Sequence, residues 1–164
     1  MPALSLNASQ KTKQTPAGKI PVDWGCVKLG QVSAITGGIQ KGQHRAPKNN
    51  PVRYLTVAHV HTNKLLLDDT RYFEVTQKEL ERWKLEKGDL LIVEGNGSPE
   101  QVGRTALFRG EIKNCVHQNH VIRARPDDDL LVPEFANGYL NSDKGRQSIM
   151  AESFTSSGLH TLSV

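Results

Sequence analysis

The chain has 164 residues, 37% hydrophobic and 23% charged, with a formal net charge of +4 and two cysteines. That length holds one domain with a sizeable core and is short for two. The longest apolar runs, such as Leu90-Leu91-Ile92-Val93, fall far below the roughly 20 residues that cross a bilayer. Met1 opens no charged and apolar leader, so a cytoplasmic protein without a membrane span is expected. Cys26 and Cys115 make no disulfide framework, which fits a reducing compartment.

The charge is unevenly spread. The first 60 residues carry eight basic side chains against one acid, Asp23, whereas the remainder holds 13 basic and 16 acidic residues. A basic segment on a near-neutral body suits a polyanion, because Lys and Arg release condensed counterions from phosphates. Lys11, Lys13 and Lys19 sit among Ser, Asn, Gln, Thr, Pro and Gly, so residues 1–19 are expected to form a disordered, solubilising lead. The domain is expected to span 20–164, opening at Ile20-Pro21-Val22-Asp23-Trp24.

From Cys26 to Ile35 the apolar spacing predicts a short strand, broken by Thr36-Gly37-Gly38. A polar loop from Gly38 to Pro51 follows, of a length that compact domains seldom leave structureless unless it binds something. Tyr54 to Val60 is rich in β-branched and aromatic residues and predicts a strand. Thr76 and Glu79 form a capping box and Val75 and Leu80 a hydrophobic staple. They start a helix whose buried stripe includes Leu80 and Trp83 and which Gly88 closes. Strands are predicted at 89–94, 105–109 and 115–125. Pro133 opens a second helix with Phe135, Ala136, Tyr139 and Leu140 on one face, and a third, near 146–152, completes a helical hairpin. Trp24 and Trp83 are assigned to the core. Strands first and helices last predict an α+β fold.

Catalytic motifs are scarce. No Walker A, G-x-G-x-x-G, G-x-S-x-G or paired metal-binding carboxylates occur, and Asp127-Asp128-Asp129 after Pro126 reads as a solvated turn. Cys115, His117 and His120 lack the second sulfur and the spacing of a structural zinc site, so no metal or other cofactor is expected. Two polar, glycine-punctuated loops carry the side chains that address DNA: Lys41, Gln43, His44, Arg45 and Lys48 in the first, and Asn96, Ser98, Gln101 and Arg104 in the second. Arg reads guanine, Gln and Asn read adenine, and Lys and Ser take phosphates. Composition alone weighs such loops equally as solvated connections.

In order and spacing, several segments resemble the target-recognition domain of type I restriction-modification specificity subunits. They are Pro21-Val22-Asp23-Trp24 with Val27-Lys28-Leu29-Gly30, then Tyr54 to Val60. The densest match runs L-x-x-G-D-L-L-I-V-E-G-N-G-S from Leu85, then Val102-Gly103-Arg104 and Cys115 to His120. Pro133-Glu134-Phe135, Tyr139 to Ser142, Gly145-Arg146 and Thr155 to Leu159 complete it. The resemblance covers about residues 20–164. It implies twisted, partly barrel-like β structure with a C-terminal helical hairpin. It also implies a non-catalytic, sequence-specific reader of one half of a bipartite double-stranded DNA target, working with methyltransferase and restriction subunits. A complete subunit carries two such domains held apart by long helices. Ending at Leu162-Ser163-Val164, this sequence is expected to be a single recognition domain without that spacer.

Within this reading His117 and Asn119 join the loop residues as candidate DNA contacts. The competing readings are a small metal-dependent nuclease using His59, His61, His117 and His120, and a protein- or RNA-binding β domain.

Overall fold

The run Leu90-Leu91-Ile92-Val93 is apolar at every position because both faces of its strand are covered, and the molecule is organised around it. The computed structural model describes residues 11–96, 98–151, 153–156 and 159–162, without the side chains of Asn96, Pro99 and the residues beyond 151.

In chain order, a hairpin of β1 (Thr12–Thr15) and β2 (Gly18–Pro21) leads through extended chain to β3 (Ser33–Thr36). The long loop then enters β4 (Pro51–Leu55), followed by the two-residue strands β5 (Val60–His61) and β6 (Lys64–Leu65) and by β7 (Arg71–Glu74). Helix α1 (Gln77–Trp83) precedes β8 (Leu90–Val93), β9 (Gly95–Asn96), β10 (Thr105–Leu107), β11 (Val116–His117) and β12 (Val121–Pro126). Helices α2 (Pro133–Leu140) and α3 (Asp143–Ala151) are succeeded by β13 (Ser153–Ser156) and β14 (Leu159–Leu162).

The central sheet is antiparallel, ordered β10-β8-β12-β3. Its side-chain alternation sorts two cores. Leu91, Val93, Ala106 and Val121 pack with Leu55, Val60, Leu85 and Phe108 on one face. Leu90, Ile92, Leu107, Ile122 and Ala124 meet Ala136 of α2, with Leu29 and Ile35, on the other. A second sheet, β11-β4-β7, pairs β11 parallel and β7 antiparallel to β4. Tyr54 stacks on Phe73 at 3.6 Å between ring centroids, within a cluster that takes in Ile39, Val52, Val75 and Val116. β9, β14 and β13 form a third ladder, and no ladder among the described residues closes on itself. The architecture is mixed α/β. No helix among the described residues is long and apolar enough to cross a membrane.

The capping box forms as predicted: Glu79 N–H donates to Thr76 Oγ1 and Thr76 N–H to Glu79 Oε2. Its helix stops at Trp83 rather than running on to Gly88. Arg123 and Arg125, two apart on β12 and so on one face, donate to the Lys84 carbonyl and pull the segment after α1 onto the sheet. Arg125 also grips the wholly buried Asp89 through two bonds of 2.7 and 2.9 Å and pairs with Glu86 at 2.8 Å.

Several expectations are corrected. The strand expected at 26–35 is extended chain and a 3-10 turn, with pairing confined to Ser33–Thr36. The strand expected at 115–125 is broken at 118–120, where His120 takes a φ of +74° and turns the chain from one sheet into the other. Residues 11–19, expected in a disordered lead, pair main chain to main chain, closed by Thr15 Oγ1 donating to the Gly18 carbonyl at 2.8 Å. Backbone bonding of that kind needs no apolar composition; residues 1–10 lie outside the described residues. Trp24 stands half exposed at the surface, and so does Phe135 on α2. Trp83 packs against the second-sheet core and donates its indole N–H to the Gly37 carbonyl at 3.0 Å.

Candidate nucleic-acid interface

The two polar loops are far apart in sequence, yet the turn at 118–120 joins them. Ile39 N–H donates to the His117 carbonyl, Asn119 N–H to the Ile39 carbonyl, and Glu94 N–H to the His120 carbonyl, each at 2.8 Å. His120 N–H returns a bond to the Glu94 carboxylate at 3.2 Å. Gly38 is required at this junction, because a Cβ there would overlap the Gln118 carbonyl. The loops at 38–50 and 94–104 are therefore fixed side by side at one end of the sheets.

The first loop is shaped by carboxylates. Glu74, at the end of β7, accepts three successive backbone N–H groups, from Lys48 at 2.7 Å, Asn49 at 3.1 Å and Asn50 at 2.8 Å. Those donors, Lys48 first, hold its carboxyl below the ordinary carboxylate value. Arg45 turns inward, ion-paired with Glu79 at 2.8 Å and donating to the Glu74 carbonyl at 3.3 Å, with its side chain 13% exposed. Lys41, Gln43, His44 and Lys48 remain exposed on the outside of the loop. A cavity of about 470 Å³ opens beside Lys41, with Thr56, Gln118 and Arg71 on its walls.

The second loop turns its cation inward as well. Arg104 donates to the Val57 carbonyl at 3.2 Å, and burial lowers its pKa. Arg146 of α3 clasps the same loop from behind, donating to the Val102 and Glu100 carbonyls. Gly103, at φ +74°, leaves no room for a side chain against Ile149. Ser98 and Gln101 are half-buried, and the Asn96 side chain lies outside the described residues.

The structure thus redistributes the expected contacts. Lys41, Gln43, His44 and Lys48 are presented to solvent, and Ser98, Gln101 and Asn119 are partly accessible beside them. Arg45 and Arg104 are braces, because their guanidinium groups are turned inward onto the Glu79 carboxylate and the Glu74 and Val57 carbonyls. His117 is wholly buried, donates from Nδ1 to the Val121 carbonyl at 2.8 Å, and has its pKa pushed down to about 4 by burial. It faces the core, not a groove.

His59 and His61 are engaged by backbone. His59 accepts the Thr56 N–H at Nδ1 and so donates from Nε2 to the Asp69 carbonyl; His61 bonds the Ala58 carbonyl. No three His, Cys, Asp or Glu groups converge as a metal-binding cluster among the described residues. Sequence reasoning missed Glu74. Glu74 carries no local signal, since its partners are 24 to 26 residues away.

The curated proteins place this geometry. Over 128 residues, 77% of this chain, it is 30% identical to the type I restriction enzyme EcoKI specificity subunit of Escherichia coli (strain K12). The chain is a relative of the type I specificity subunits. The StySPI specificity subunit of Salmonella potsdam is 25% identical over 144 residues, 86% of the chain. The chain spans 27% and 30% of these two relatives' lengths. The crystal structure of a type I restriction-modification S subunit from M. genitalium matches 98% of the chain and 33% of its own, with a TM-score of 0.53 at 14% identity, which is a likeness of fold. No family model matches. The relationship to specificity subunits takes in both loops and the turn that joins them.

Proposed function

We propose that the chain is a non-catalytic recognition domain that reads one half of a bipartite double-stranded DNA target for a type I restriction-modification complex. The similarity to named specificity subunits over more than three quarters of the chain carries this reading. The juxtaposed loops support it by placing exposed Lys41, Gln43, His44 and Lys48 on one end of the molecule. Lys41 and Lys48 take phosphates, while Gln43, His44, Ser98, Gln101 and Asn119 are the candidates for base edges.

The domain comprises 20–164 with the 12–21 hairpin as its margin, and its partners are the methyltransferase and restriction subunits of a cytoplasmic complex. The partly barrel-like character belongs to the same reading: Leu55 of one sheet and Leu91 and Val93 of the other share one core.

Selection of bound duplexes from a random pool tests the proposal. A recurring half-site is expected, and an equal preference for single-stranded or RNA oligonucleotides would overturn it. Lys41→Ala should weaken every duplex alike and reduce the salt slope by about 1, whereas Gln43→Ala should cost about 1–3 kcal/mol on the selected site if Gln43 reads a base.

A further inference from the structure

The turn that joins the two loops carries a polar side chain with its bonding capacity unspent. The main chain of Gln118 is fixed on three sides: its N–H donates to the Leu55 carbonyl at 2.9 Å, its carbonyl accepts the Val121 N–H at 3.1 Å, and Ile39 bridges to it in parallel pairing. Its amide makes no hydrogen bond among the described residues and is partly accessible on the wall of the cavity of about 470 Å³. Thr56 and His59 on the same wall are already engaged. His59 Nδ1 accepts from the Thr56 N–H at 2.8 Å and lies 3.0 Å from the Thr56 hydroxyl, and Nε2 donates to the Asp69 carbonyl at 3.2 Å. The charges around the cavity cancel, Lys41 and Arg71 against Asp68 and Asp69, with Arg71 and Asp69 3.8 Å apart. A wall without net charge does not select a phosphate; it suits a neutral group that both donates and accepts.

We propose that Gln118 is a specificity-determining residue that reads an adenine edge in the major groove of the duplex. This rests on the reading of the two loops as a DNA interface. An amide presents a donor and an acceptor side by side, which match adenine N7 and N6, whereas guanine offers two acceptors there and leaves the amide oxygen opposed. Reading a base needs a side chain held to within about 0.5 Å, and a fixed main chain supplies that hold better than an open loop does. Gln118 stands on such a main chain, with Gly38 closed against its carbonyl. The space in the cavity lets the amide turn toward a base without displacing a packed neighbour. Lys41 of the first loop lines the same cavity, so Gln118 borders the face assigned to DNA.

The test is selection of duplexes from a random pool by the full chain and by Gln118→Ala, followed by titration of the selected site. Gln118→Ala should bind the wild-type site about tenfold more weakly and lose its preference at one adenine position only. Placing 7-deazaadenine there removes the N7 acceptor; it should weaken the wild-type chain and leave Gln118→Ala unaffected. Gln118→Glu keeps the size of the side chain, so it keeps the test open should the shorter one cost stability in thermal unfolding. It should move the preference at that position from adenine to cytosine, whose N4 amine a carboxylate accepts. An unchanged half-site in Gln118→Ala, or an equal loss on every duplex with all preferences kept, would overturn the proposal and leave the DNA reading of the loops standing. Failure of the wild-type chain to select any half-site would overturn both.

Discussion

The loops at 38–50 and 94–104 are built from similar residues and meet at one turn, but they spend their cations differently. The first keeps Lys41 and Lys48 outside and is held from beneath by Glu74 and by one inward arginine, Arg45. The second is pinned by two arginines, Arg104 from within and Arg146 from α3, and shows half-buried Ser98 and Gln101. The difference teaches that a basic residue in a recognition loop is a contact only if no backbone carbonyl or carboxylate has claimed it. The first loop offers charge to a partner. The second offers shape.

The comparison is most severely tested at Arg45. Arg45→Ala removes the ion-pair partner of Glu79 and the donor to the Glu74 carbonyl and should destabilise the fold by about 3 kcal/mol, read by urea unfolding. A smaller loss confined to duplex affinity would move Arg45 back among the contacts. Acid is the next probe. His117 is buried neutral, with its pKa down at about 4 against about 6.5 when unfolded, so the unfolded chain takes up its proton first. Stability attributable to it is full above pH 6.5 and is lost as the pH falls toward 4, roughly 2 kcal/mol between pH 6.5 and 5. The junction it supports serves both loops, so both should loosen together. A His117 ring that titrates near pH 6.5 by NMR would refute this.

The smallest of these effects separates the loops most cleanly. Arg104→Ala should cost about 1 kcal/mol of stability through the lost bond to Val57, while leaving the salt dependence of duplex binding unchanged. A reduced salt slope in Arg104→Ala would show that the second loop contributes charge after all.

Local chemistry was readable where it is written within a few residues. The Thr76–Glu79 capping box, Pro133 at the start of α2 and the all-apolar β8 announce themselves. What stayed hidden depends on distant partners. Arg45 meets Glu74 29 residues on, and Arg104 meets Val57 47 residues back, so both looked like free loop cations. His117 reads as half of an alternating strand face, yet β11 is sandwiched and both its residues are buried. Trp24 and Phe135 look like core aromatics by type, and only the absence of a covering element near them in the described residues leaves them in solvent.

The Gly38 junction has an engineering consequence. One end of the first loop is locked by Gly38 and Ile39 against the 117–119 turn, and the other by the three N–H groups at 48–50 on Glu74. The residues between those clamps make few demands on the sheets. Residues 40–47 can therefore be exchanged as a cassette, provided that the newcomer keeps an inward arginine, and the scaffold will accept a changed reading surface without learning a new fold.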